Sequence, residues 1–86
     1  NVPNPFNPST AIAFEIPQPG HVRLDVFDAR GAHVRMLANG PRDAGRSEVT
    51  WDGVDSRGDT MASGVYFYRL LLDGREVATR KMVLLK

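Results

Sequence analysis

Residues 65–74 read VYFYRLLLDG, and the fold turns on how that stretch is understood. From Val65 to Leu72 both odd and even positions are apolar apart from Arg69, which marks a strand inside a sheet rather than at its edge. Asp73-Gly74 follows at once. This dipeptide favours the positive φ angles of a two-residue hairpin turn, so the chain reverses and returns as a last strand over Val77 to Leu85.

Upstream, the same vocabulary recurs in shorter pieces. Val49 and Trp51 mark a strand closed by Asp52-Gly53, and the Asp-, Ser- and Gly-rich stretch from Asp52 to Gly64 reads as a long surface loop. Ile12, Phe14 and Ile16 alternate with Ala11, Ala13 and Glu15 until Pro17 and Gly20 end the run, as in a strand with one buried face. Val22, Leu24 and Val26 alternate with Arg23 and Asp25 in a second strand that stops at Asp28-Ala29-Arg30-Gly31. A third, less regular strand spans His33 to Ala38; its Val34 and Leu37, three apart, suit a bulged strand or a short helical turn equally well. Asn39 to Gly45 reads as a loop. No segment carries a helical period. The pattern specifies an all-β chain, an antiparallel β-sandwich of six or seven strands, with Phe14, Leu24, Trp51 and Tyr66 in its core.

The opening VPNPFNPST at 2–10 behaves differently. Pro3, Pro5 and Pro8 remove backbone donors and push their predecessors toward extended geometry, so residues 1–9 read as a lead-in tether to a sandwich spanning 10–86. Phe6 is its one large apolar side chain, and the start at Asn1, without Met, reads as a piece of a longer protein.

Composition narrows the function. With 86 residues the chain is one domain, near the size at which a single core suffices. It has no cysteine, which rules out disulfides and thiolate metal sites. A net charge of +1 with interspersed signs provides no basic stripe for nucleic acid, and no apolar run is long enough for a transmembrane segment. His21 and His33 sit at strand starts and read as solvated or structural residues, and the serines lack a nucleophile elbow. Asp52, Asp55 and Asp59 could offer oxygens to Ca²⁺, but the spacing misses the EF-hand loop, and the simpler expectation is that they bond turn amides. Arg57-Gly58-Asp59 matches a known integrin-ligand tripeptide; chance in so Arg-, Gly- and Asp-rich a loop accounts for it. The aromatic and basic residues of YFYRL, and Trp51, fit core packing better than a sugar- or base-stacking platform. No catalytic residue, metal or cofactor is expected, and the chain reads as a non-enzyme.

Taken in order, several pieces resemble one family: N-P-F-N-P-S-T at 4–10, Gly31 with Val34 and Leu37, W-D-G at 51–53, Gly58, S-G-V-Y-F-Y-R-L at 63–70 and K-M-V-L-L-K at 81–86. They look like the carboxy-terminal sorting domain (type A) of the type IX, or Por, secretion system. That family overlaps the immunoglobulin-like domain of the flagellar hook-capping protein. Asn4, Pro5, Phe6, Asn7 and Pro8 match the family's opening, although Val2 stands where Tyr is common. Trp51, Asp52, Gly53 and Gly58 match its long loop, Gly64 and Tyr66 its G-x-Y signature, and Lys81 and Lys86 the basic residues of its last strand.

The resemblance implies an immunoglobulin-like sandwich that labels an upstream cargo domain for export. Its implied partners are the outer-membrane translocon and the sortase of type IX secretion, and its implied destination is the cell surface or medium, reached through the periplasm. The domain is expected to be a monomer. Two other functions keep the same fold: a passive immunoglobulin-like spacer in an extracellular enzyme, and a hook-cap scaffold domain.

Overall fold

A computed structural model describes residues 9–85. Its six strands are β1 (Thr10–Ile16), β2 (Gly20–Asp28), β3 (His33–Arg42), β4 (Gly45–Trp51), β5 (Gly64–Leu72) and β6 (Arg75–Leu84). They form two antiparallel sheets, a smaller one of β1 and β4 and a larger one in the order β3-β2-β5-β6. The fold is the sandwich that the strand pattern specifies.

Its core comes from the period-two alternation. Ile12, Phe14 and Ile16 point inward from β1, Val22, Leu24 and Val26 from β2, and Tyr66, Leu70 and Leu72 from β5. Trp51, at the end of β4, is fully buried and meets Tyr66 edge-on with ring centroids 5.1 Å apart. At the β5–β6 turn Asp73 has φ 51° and Gly74 φ 82°, the geometry that Asp-Gly favours. Asp73 also holds the start of β2, accepting at Oδ1 from the His21 amide at 2.9 Å and donating its own amide to the His21 carbonyl at 2.8 Å. Gly20 packs beside this clasp, where a Cβ would stand 2.7 Å from Leu72 Cδ1 and 2.9 Å from Asp73 Oδ2, so those side chains would have to shift.

One expectation changes and two are refined. The segment from Asn39 to Gly45 is mostly strand: β3 runs on to Arg42, with Gly40 opposite Val22 and Pro41 opposite His21. β3 lies at the edge of its sheet, where a proline forfeits no ladder bond on its outer side. Of the two options for Val34 and Leu37, the structure adopts the bulged strand, with register shifts between Leu24 and Asp25 and between Val26 and Phe27 of the partner strand. β5 is internal in its sheet, flanked by β2 and β6, yet among the described residues no second layer covers its outward side chains. Phe67 and Leu71 are half-buried there by their neighbours in the sheet, and Val65 is exposed. Among the described residues no helix is long and apolar enough to cross a membrane.

Candidate functional site

Among the described residues, two constellations draw several polar groups together, and the sequence points plainly to the first but gives only a hint of the second. It is the loop after β4. Asp55 Oδ1 accepts from the amides of Arg57 and Asp59, both at 2.9 Å, while the Asp55 amide donates to the Asp59 carbonyl at 2.9 Å. These bonds from Asp59 and Arg57 hold the Asp55 carboxyl below the usual carboxylate range. Gly58, at φ 90°, takes the left-handed position that this tight reversal requires.

The loop is also fastened to the sandwich. Val54 bridges Thr60, the Ser56 amide donates to the Val34 carbonyl at 3.0 Å, and the Met61 amide to the Gly53 carbonyl at 2.8 Å. Trp51 Nε1 donates to the Val54 carbonyl at 2.9 Å, and the Tyr66 hydroxyl to the Ala62 carbonyl at 2.6 Å. Burial raises the Tyr66 pKa, with a further push from the Asp28 charge. Asp59 departs from its expected turn role, lending the turn its backbone while its carboxylate stands 3.8 Å from Arg57 Nη2, and so does Asp52. Asp52 Oδ1 takes Arg35 Nη1 at 2.6 Å and only a long bond, 3.4 Å, from the Val54 amide, so it chiefly ties loop to β3.

Family-motif residues therefore divide by role. Trp51 and Tyr66 are core and loop anchors, Gly53 and Gly58 shape the loop, and Gly64 opens β5. Lys81 is exposed on the edge strand β6, opposite Phe67. Asn4, Pro5, Phe6, Asn7, Pro8 and Lys86, with nearly all of the lead-in, lie outside the described residues.

The second constellation lies on the outward face of the larger sheet. Asp25 sits between the inward-facing Leu24 and Val26 of β2, where alternation predicts a solvent-facing side chain; it is instead 0% exposed. Its Oδ2 accepts from Arg23 Nε at 2.8 Å, and its Oδ1 meets His33 Nε2 at 2.7 Å and Arg23 Nη2 at 3.3 Å. Burial pushes the Asp25 carboxyl pKa up, but the hydrogen bonds and charges of Arg23 and His33 outweigh it and hold the group below its ordinary range. His33 also stands edge-on to Phe27, with centroids 5.4 Å apart. Arg69 lies directly across from Asp25 on β5 but makes no bond to it. Its guanidinium rests over the Phe27 ring at 5.0 Å, and its buried Nε has no acceptor among the described residues. Residue spacing offers one hint of this cluster, the Arg-x-Asp-x-Phe step on a single face of β2; its partners His33 and Arg69 come from other strands.

Comparison with known proteins fits this architecture. The model of the FlgD Ig-like domain matches residues 3–71. The chain belongs to that family. FlgD from Xanthomonas campestris, a hook-capping protein essential for flagellar assembly, superimposes with a TM-score of 0.70 at 28% identity over 91% of this chain and 55% of its own. FlgD from P. aeruginosa gives a TM-score of 0.68 at 26% identity, covering 88% of this chain and 61% of its own. The chain thus spans little more than half the length of either FlgD protein. No curated protein sequence matches it. Of the overlapping families named by the sequence motifs, the FlgD Ig-like domain is the one these comparisons support; none of them bears on type IX sorting.

Proposed function

We propose that this FlgD-type Ig-like domain is a non-catalytic assembly module of an exported, extracellular structure, the role that hook capping has in the flagellum. The likeness to two FlgD proteins across both sheets carries this reading. The loop chemistry agrees with it, because its polar groups are spent on holding the loop rather than converging on a substrate. The test is domain exchange in Xanthomonas campestris, replacing the matching Ig-like domain of FlgD with this chain. Partial recovery of hook assembly over a strain with that domain deleted supports a scaffold role; recovery no better than the deletion, with the hybrid stably expressed, removes it.

The type IX sorting label is a second reading, favoured by the side chains of β6. This edge strand presents Lys81 and Val83 to solvent, and Leu85 beyond it is 73% exposed. On this reading the translocon reads the last strand, and a sortase cuts upstream. A reporter fused ahead of the domain should leave a bacterium with type IX secretion. Removing residues 83–86 should strand it in the periplasm, with folded Lys81→Gln/Lys86→Gln as the charge control. A periplasmic intact fusion refutes the label. Failure of both assays leaves the passive spacer.

A further inference from the structure

The outward face of a half-covered antiparallel sheet is ordinarily polar, and β5 breaks that rule. Its outward positions, those alternating with buried Tyr66, Leu70 and Leu72, are Val65, Phe67, Arg69 and Leu71. Phe27 of β2 stands beside Phe67, and Val83 of β6, 51% exposed, stands beside Val65. The result is an apolar strip across three neighbouring strands. Near the ring of Phe27 it sinks into a shallow depression lined by Phe67, Arg69, Glu76, Thr79 and the turn at 28–31, Asp28 included.

Charge on this strip is unbalanced in a particular way. Both oxygens of Asp25 already accept from Arg23 or His33, so the acid facing Arg69 across the strand pair is committed to other cations. Arg69 keeps no carboxylate partner among the described residues; only the face of Phe27 holds its guanidinium in place. Lys81, one strand over and beside Phe67, is exposed with no ion-pair partner among the described residues. Two further carboxylates line the depression: Asp28, whose Oδ1 already accepts from the amides of Arg30 and Ala32 at 2.9 Å, and exposed Glu76. A planar, pre-set guanidinium bordering two aromatic rings suits a carboxylate flanked by apolar side chains. The neighbouring cations are paired with carboxylates, Arg23 with Asp25 at 2.8 Å and Arg30 with Asp28 at 3.8 Å, so the uncommitted positive charge falls short of the clusters of about 4–8 that an anionic lipid surface calls for and of a nucleic-acid footprint.

We propose that the outward face of the larger sheet is a docking surface for an acidic, apolar-flanked segment of a partner protein. Arg69 and Lys81 take its carboxylates, and its apolar side chains cover Phe27 and Phe67. The proposal rests on neither reading of the domain's role, although Lys81 and Val83 are shared with the strand that the label reading gives to the translocon.

The test is a titration of the ¹⁵N-labelled chain with two synthetic peptides of equal apolar content, FEVEF and FKVKF, and with phosphatidylglycerol vesicles. FEVEF is expected to shift the amides of Phe27, Phe67, Arg69 and Thr79, and FKVKF to leave them unmoved. Arg69→Gln/Lys81→Gln, shown to be folded by its spectrum, should weaken FEVEF binding about tenfold or more, the scale of a lost charge-assisted contact. Arg69→Lys should fall between, keeping charge but losing the fork. Equal binding of both peptides, shifts confined to another face, unchanged affinity in the double variant, or no shifts at about 1 mM peptide would each overturn the proposal. Vesicles that broaden this face while FEVEF leaves it unmoved would reassign it to a membrane surface.

Discussion

Replacing Asp25 by Asn tests whether an ion cluster on the open side of a sheet contributes to folding. The substitution keeps the shape of the side chain but presents an amide donor where Arg23 or His33 also donates, so at least one short contact is lost. A dry charge-assisted hydrogen bond contributes ~1.5–3 kcal/mol. Here Arg23 and His33 each retain 43% side-chain exposure and rehydrate once released, which reduces the cost. The expected loss is about 2 kcal/mol at pH 7, against a total stability of roughly 4–13 kcal/mol for a domain of this size. Urea unfolding followed through the buried Trp51, the chain's single tryptophan, reads the difference directly. The pH dependence gives a second, independent check. Because the folded-state carboxyl is held below its unfolded value, its contribution is complete well above pH 4 and is lost as pH falls below about 4. The stabilities of wild type and Asp25→Asn should therefore converge in acid. A difference under about 0.5 kcal/mol at pH 7, or one that persists unchanged to low pH, would refute the assignment.

Other consequences are as direct. Trp51→Ala should cost about 3–5 kcal/mol in a matching unfolding experiment followed by circular dichroism, since it empties a fully buried site and frees the Val54 carbonyl; a loss below about 1 kcal/mol would contradict the core role. Gly58→Ala should lower stability by about 1–2 kcal/mol through strain at φ 90°, and an unchanged melting temperature would mean that the loop relaxes to another turn. Gly20→Ala should force Leu72 and the Asp73 clasp apart, seen as faster hydrogen exchange at the His21 and Asp73 amides; unaltered protection there would show that the clasp can give way. Thermal melts with calcium and with chelator should coincide, because Asp55 is occupied by backbone amides and Asp52 by Arg35; a large calcium-dependent rise would show that the loop reorganises around the ion.

Strand identity in this protein is a local property. Ile12, Phe14 and Ile16, or Val22, Leu24 and Val26, present one apolar face only if the chain is extended, and Asp73-Gly74 reverses it wherever it lies. Those features, with Trp51 and Tyr66 as large apolar anchors, are enough to specify the sandwich, its central strand and the turn role of Asp55. Pairing is not local. Nothing near Thr10–Ile16 says that it joins β4 rather than its neighbour β2, or that Gly40 and Pro41 are carried on an edge strand. The fate of Asp25 is decided in the same way. In one strand it looks like any outward acid, and only the bulges that set His33 across from Phe27, with Arg23 two residues away, close it off from water. Among the described residues, Arg69 is left without a carboxylate by that same arrangement, its buried Nε unbonded and its guanidinium over Phe27. Alternation assigns each residue a face, but burial and charge balance on that face depend on which strands arrive beside it and in what register.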